Sequence, residues 1–101
     1  MTPAAVREAL RHVIDPEIGI NIVDLGLVYD IDIQDARARV TMTMTSPACP
    51  LGDYLKDLSD STIRQRVPGV QEVEIVLVWE PPWSPDMMAE EVRRRLEGGD
   101  R

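Results

Sequence analysis

The sequence has one cysteine and one histidine in 101 residues. A single cysteine cannot close an internal disulfide, so a disulfide framework of the secreted kind is excluded. Cys49 and His12 alone cannot supply the roughly four ligands of a structural zinc site. No stretch approaches the ~20 apolar residues of a membrane-spanning helix. The first residues carry a proline and a charged helical pattern instead of a signal peptide. The expected compartment is therefore the reducing cytoplasm, where a free thiol persists. Positive charge is scarce too: 11 Lys+Arg against 18 Asp+Glu gives −7. Nucleic acid and anionic membranes repel such a chain, so neither is an expected partner. Gly-rich phosphate loops, Ser-His-Asp sets, CxxC and HExxH are also missing.

What remains is ordinary globular composition, 44% hydrophobic and 29% charged, in a length suited to one domain, residues 1–101. Thr2 to Val13 reads as a helix. Thr2 caps it, Pro3 suits its first position, and Val6, Ala9, Leu10 and Val13 share one face. Asp15-Pro16 ends it, and residues 15–24 read as a loop. Leu25 to Ile33 alternates as a strand, with Leu25, Leu27, Tyr29, Ile31 and Ile33 inward. After a turn at Gln34-Asp35, Ala36 to Thr45 forms a second strand. Ala38, Val40, Met42 and Met44 point one way; Arg37, Arg39, Thr41, Thr43 and Thr45 point the other. The hairpin sets Asp30 and Asp32 against Arg37, Arg39 and Thr41.

Leu51 to Val67 reads as a helix striped by Leu51, Tyr54, Leu55, Leu58 and Ile63, and Pro68-Gly69 stops it. Val70 to Trp79 is a third strand, apolar on both faces in its second half and so expected in a central position or under two layers. Ser84 caps a last helix with Pro85 first and Met88, Val92 and Leu96 along one face. The order α–β–β–α–β–α predicts a single α/β (α+β) domain. Its three-stranded mixed sheet should carry helices packed mainly on one face. The outward threonines and the strand edges could be covered by a second copy, which makes a homodimer an expectation.

Cys49 is the leading chemical candidate. With Pro50 as the first helical residue, Cys49 becomes the N-cap. There, free backbone N–H groups and the helix dipole favour thiolate over thiol. The competing reading is a small buried hydrophobe. Asp15 and Glu17, framing Pro16, could serve as a base or as hard ligands; by spacing alone, turn chemistry is the stronger reading. Thr45 and Ser46 offer hydroxyls just upstream of Cys49, to the thiolate or to solvent. His12 reads as a surface residue, and Met42, Met44, Met87 and Met88 as core filler. Trp79 reads as packed over the sheet, and Trp83 as an exposed anchor for a partner.

Four blocks carry a resemblance. Asp15-Pro-Glu-Ile-Gly-Ile-Asn-Ile-Val-Asp-Leu-Gly-Leu-Val-Tyr29, Met44-Thr-Ser-Pro-Ala-Cys-Pro50, Pro68-Gly-Val70 and Val78-Trp-Glu-Pro-Pro-Trp-Ser-Pro-Asp-Met-Met88 occur in that order. Together they resemble the metal–sulfur cluster assembly domain shared by SufT and PaaD. The resemblance implies a compact α/β fold and a role in maturing iron–sulfur proteins as a carrier or adaptor, not an enzyme. It marks Cys49 as the functional thiol and a transient iron–sulfur ligand, with Asp15, Glu17, Thr45 and Ser46 around it. It raises the site reading of Asp15 and Glu17 above turn chemistry. Implied partners are apo iron–sulfur client proteins and other assembly factors. No cofactor is expected to stay bound, because one thiolate cannot hold a cluster that needs about four ligands; a transient cluster is expected instead. The alternatives are an interaction adaptor that binds no cluster, including a PaaD-like accessory role in phenylacetate degradation, and, last, a thiol-dependent enzyme. The cysteine-rich C-terminal extension of PaaD-type chains is not in this sequence, which argues against the phenylacetate role.

Overall fold

Thr2 opens the first element. In the computed structural model, which describes residues 1–44 and 52–95, its backbone is extended and its hydroxyl accepts the Ala5 N–H at 3.1 Å. That satisfies one orphan donor of the first turn, and helix α1 runs Pro3–Leu10. Its expected face is the buried one: Val6, Ala9, Leu10 and, beyond the helix, Val13. The loop that follows holds a small antiparallel pair, β1 (Ile14–Asp15) with β2 (Ile20–Asn21). Strands of two residues carry too little alternation to be read from sequence.

Strands β3 (Val28–Gln34) and β4 (Arg37–Met42) form the expected hairpin. The turn is Asp35-Ala36, one residue later than expected, with Asp35 at φ 56°. Aspartate is among the few residues that enter this left-handed region readily. Asp30 lies opposite Thr41 and Asp32 opposite Arg39, as the hairpin reading required. The inward face differs. The register shifts between Val28 and Asp30, leaving Tyr29 as the extra residue of a bulge. Val28 therefore takes the inward place beside Ile31, opposite Met42, while Tyr29 is only half-buried. Leu25 and Leu27 are buried from the preceding loop.

Helix α2 (Gly52–Arg66) buries Leu55 and Ile63, but Tyr54 is exposed, against expectation. The buried stripe runs instead through Ser59 and Thr62, and the Ser59 hydroxyl donates to the Leu55 carbonyl at 2.7 Å. That back-bond lets a polar residue sit where an apolar period would be sought. Strand β5 (Glu72–Leu77) then pairs parallel to β4, giving the order β3-β4-β5. The sheet is mixed, as expected, but β4 is central and β5 is an edge. The two-sided apolar run of β5 came from Val76, which faces outward beside Thr41 and is only half-buried.

Both long helices pack on the face built by Ala38, Val40 and Met42, with Val73 and Ile75 beside them. The opposite face is charged. There Glu74 accepts from Arg37 at 3.0 Å and Arg39 at 3.2 Å, and these two bonds hold its carboxyl below the usual carboxylate range.

The chain after β5 does not form one helix from Ser84. It makes a 3₁₀ turn, Pro85–Met87, extends at Met88, and enters helix α3 (Glu90–Arg94). Ser84 makes no side-chain cap. The reason lies in long-range docking. The Trp83 indole N–H donates to the Leu25 carbonyl at 2.8 Å, and the Ala89 N–H to the Asp24 carbonyl at 2.8 Å. These anchors draw residues 81–89 along the loop before β3 as a strap. Val92 is buried and Met88 packs against the core. Leu96 lies outside the described residues.

Candidate functional site

Strand β4 pairs parallel with β5, and in the sequence residues 45–51 fall between β4 and α2. Both flanks of this stretch are fixed. The Thr43 N–H donates to the Leu27 carbonyl at 2.8 Å, and the Val78 N–H to the Met42 carbonyl at 2.9 Å. Met44 is buried, and Gly52 is packed so that an added Cβ would lie 3.7 Å from Leu77 Cδ2. Cys49, Thr45 and Ser46, with the N-cap geometry expected of Cys49, lie outside the described residues.

Asp15 is 4% exposed. Its Oδ1 accepts the Glu17 N–H at 2.8 Å and the Ile18 N–H at 3.3 Å, while its carbonyl accepts the Gly19 N–H at 2.7 Å. This is the turn chemistry that spacing alone favoured. Glu17 itself is exposed. The two carboxylates therefore do not converge: one folds back on its own turn and the other faces solvent. Further along the same loop, Asn21 Oδ1 accepts the Asp24 N–H at 2.9 Å, and Asp24 pairs with Arg11, just past the end of α1, at 2.6 Å. The Asp-Pro-Glu block is thus a rigid, internally bonded loop.

Other expectations sort plainly. His12 is exposed, and Met42 and Met44 are core. Met87 is exposed instead of core. The tryptophans are exchanged: Trp79 is 40% exposed, whereas Trp83 packs against the core and spends its N–H on Leu25. Alternation misled here because the strand stops at Leu77, two residues before Trp79. Thr43 was missed. It is fully buried, and its Oγ1 has no hydrogen-bond partner among the described residues. Period-two alternation put it outside, but β4 ends at Met42 and the period ends with it. Among the described residues, no three His, Cys, Asp or Glu side chains group as a metal site, and no helix is long and apolar enough to cross a membrane.

Residues 3–75 match the family model described as iron-sulfur cluster assembly protein. The chain belongs to that family. It is 44% identical over 80% of its length to the Fe-S protein maturation auxiliary factor YitW of Bacillus subtilis, covering 79% of that protein. It is 46% identical over 76% of its length to the Fe-S protein maturation auxiliary factor SufT of Staphylococcus aureus, covering 88% of it. Among solved structures, a domain of unknown function from Bacillus anthracis superimposes with a TM-score of 0.90 at 39% identity, over 98% of this chain and 92% of that one. A conserved hypothetical protein of Thermotoga maritima gives 0.83 at 42%, over 96% and 95%. The role is iron–sulfur cluster assembly and protein maturation, as the four sequence blocks implied. The matched residues end at Ile75, so the strap lies beyond them.

Proposed function

We propose that this member of the family is a carrier or adaptor and not an enzyme, acting through Cys49 on a transiently held iron–sulfur cluster that it helps deliver to apo-proteins in the cytoplasm. The supporting observation is the parallel β4–β5 pairing, whose strands end on the same side of the sheet, with Cys49 in the stretch of sequence that follows β4. Open α/β sheets characteristically hold their ligands beyond the carboxyl ends of their strands. One thiolate supplies one ligand of about four. The cluster is therefore cargo, completed by a second copy of the chain, by a small thiol or by the client, and released easily. Thr45 and Ser46 would support the thiolate by hydrogen bonding. Asp15 acts through the shape of its loop, since its carboxylate already accepts two backbone N–H groups.

The test is alkylation of Cys49 across pH, read beside cluster transfer to an apo-protein. The expected midpoint lies well below the free-cysteine value of ~8.5, and Cys49→Ser abolishes transfer while the fold is retained. A midpoint at or above that value, with undiminished transfer by Cys49→Ser, overturns the reading. In that case the adaptor alternative takes over, and the 40% exposed Trp79 is its natural anchor. Trp83 cannot play that part, because its side chain is committed to the core and to Leu25.

A further inference from the structure

The strap does more than close the domain. Where residues 81–87 pass the start of β3, they leave an open groove with a cavity volume of about 410 Å³, within the range of small-ligand sites. Val23, Gly26 and Val28 contribute from the domain, with Tyr29 beside them. Pro81 and Met87 contribute from the strap. The Tyr29 hydroxyl is occupied, donating to the Pro81 carbonyl at 2.7 Å with Met87 Sδ at 3.5 Å. Among the lining side chains the one charged group is Arg7 of α1, set beside the apolar Val23, Val28, Pro81 and Met87.

Arg7 stands apart from the cations nearby. Arg11 pairs with Glu8 and Asp24, and Arg93 with Asp86. Among the described residues, Arg7 has no carboxylate within ion-pair distance. A guanidinium with no ion-pair partner among the described residues, set beside apolar side chains, recognises an apolar group joined to a carboxylate. An open groove suits a peptide, whose backbone stays solvated while one or two side chains are buried. A long acyl chain would leave most of its methylenes in water.

We propose that this groove docks a short peptide segment of a partner protein in which an acidic side chain is flanked by bulky apolar ones, with Arg7 pairing the carboxylate. The partner's identity as an iron–sulfur client or assembly protein rests on the function proposed above; the groove's chemistry does not. The chain's charge of −7 repels an acidic peptide at long range. Under physiological salt, repulsion beyond about 8 Å is screened, and the contact with Arg7 decides.

The test uses the full chain and seven-residue peptides, acetylated and amidated at their ends, carrying Leu-Glu-Leu or Leu-Gln-Leu at the centre. Amide chemical shifts should move at Val23, Gly26, Val28 and Met87. The Glu peptide should bind about three- to fivefold tighter than the Gln peptide, the scale of an exposed ion pair. Added salt should weaken it. Arg7→Gln should erase the preference while leaving the fold unchanged, and Cys49→Ser should keep it, which separates this result from failure of the cysteine reading. Equal binding of the two peptides, tighter binding at high salt, shifts located elsewhere, or no shifts at millimolar peptide each overturn the proposal.

Discussion

The loop from Asp15 to Asp24 and the strap from Pro81 to Ala89 are both proline-bearing and irregular, and both border the same part of the core. They are held in opposite ways. The loop makes most of its side-chain bonds within itself, where Asp15 caps Glu17 and Ile18 and Asn21 and Asp24 bond each other across three residues; Asp24, at its end, also reaches outside, to Arg11 and Ala89. The strap is bonded to something more than fifty residues away, through Trp83 to Leu25, Ala89 to Asp24, and Pro81 to Tyr29. A loop closed by its own side chains keeps its shape when its neighbours move. A strap seated at a distance keeps its place only while its seat is intact, even though its 3₁₀ turn is bonded locally.

The largest expected effect attacks that seat. Gly26 has φ +80°, and a Cβ there would clash with the Met87 backbone carbonyl. Gly26→Ala therefore meets both backbone strain and a clash with main chain that cannot rotate away. The expected loss is about 2–4 kcal/mol in urea unfolding. The amides of Met87 and Ala89 should lose hydrogen-exchange protection, while Gly19 and Asp24 should keep theirs. Equal loss of protection in both segments would mean that the strap and loop form one cooperative unit, and the contrast drawn here would fail.

The same contrast governs what could be read from sequence. Wherever structure follows from neighbours a few residues apart, it was legible. Thr2 and Pro3 start α1, Asp15 before Pro16 makes a turn, and Asp30 and Asp32 meet Thr41 and Arg39. Wherever distant contacts decide, it was not. The Tyr29 bulge moves Val28 inward, and nothing local marks it. The edge position of β5 depends on which strand accepts it, not on its own apolar run. The last helix, expected from Ser84, is broken because residues 83 and 89 are tied to the loop before β3. Trp83 is held against the core by the same ties, while Trp79 is exposed because β5 stops at Leu77 before alternation reaches it. In the candidate site, the chemistry of the Asp15 turn was legible from spacing, whereas the buried Thr43 hydroxyl lies just past the end of its strand, where alternation gives no guidance.

A middle-sized effect is expected in the loop. Asp15→Ala removes the acceptor for two backbone N–H groups in a place almost closed to water, at an expected cost of about 1–2 kcal/mol. Asp15→Asn keeps an oxygen in position and should lose less than half as much. This pair of variants also divides the two readings of Asp15. If its carboxylate acts only through loop shape, Asp15→Asn leaves the pH profile of Cys49 alkylation unchanged. A shifted profile in a fully folded Asp15→Asn protein would show that the charge itself reaches the thiol.

The smallest effect is the most selective. Trp83→Phe keeps an aromatic ring against the core but removes the only N–H that ties this side chain to Leu25. A neutral hydrogen bond of this kind is worth about 1 kcal/mol net, and the Leu25 carbonyl left behind can regain water as the strap lifts. The loss should therefore appear locally before it appears globally. Hydrogen exchange at Met87 and Ala89 should speed up about fivefold, with the urea midpoint barely moved. Exchange in the Asp15 turn should be unchanged, since its bonds are all its own. Because Met87 also lines the groove beside Arg7, a looser strap should weaken the acidic–apolar peptide without altering the Glu-over-Gln preference. Such a result would assign the apolar wall to the strap and the charge selection to α1. Loss of that preference in Trp83→Phe would instead mean that Arg7 is positioned by the strap, and that the two contributions are one.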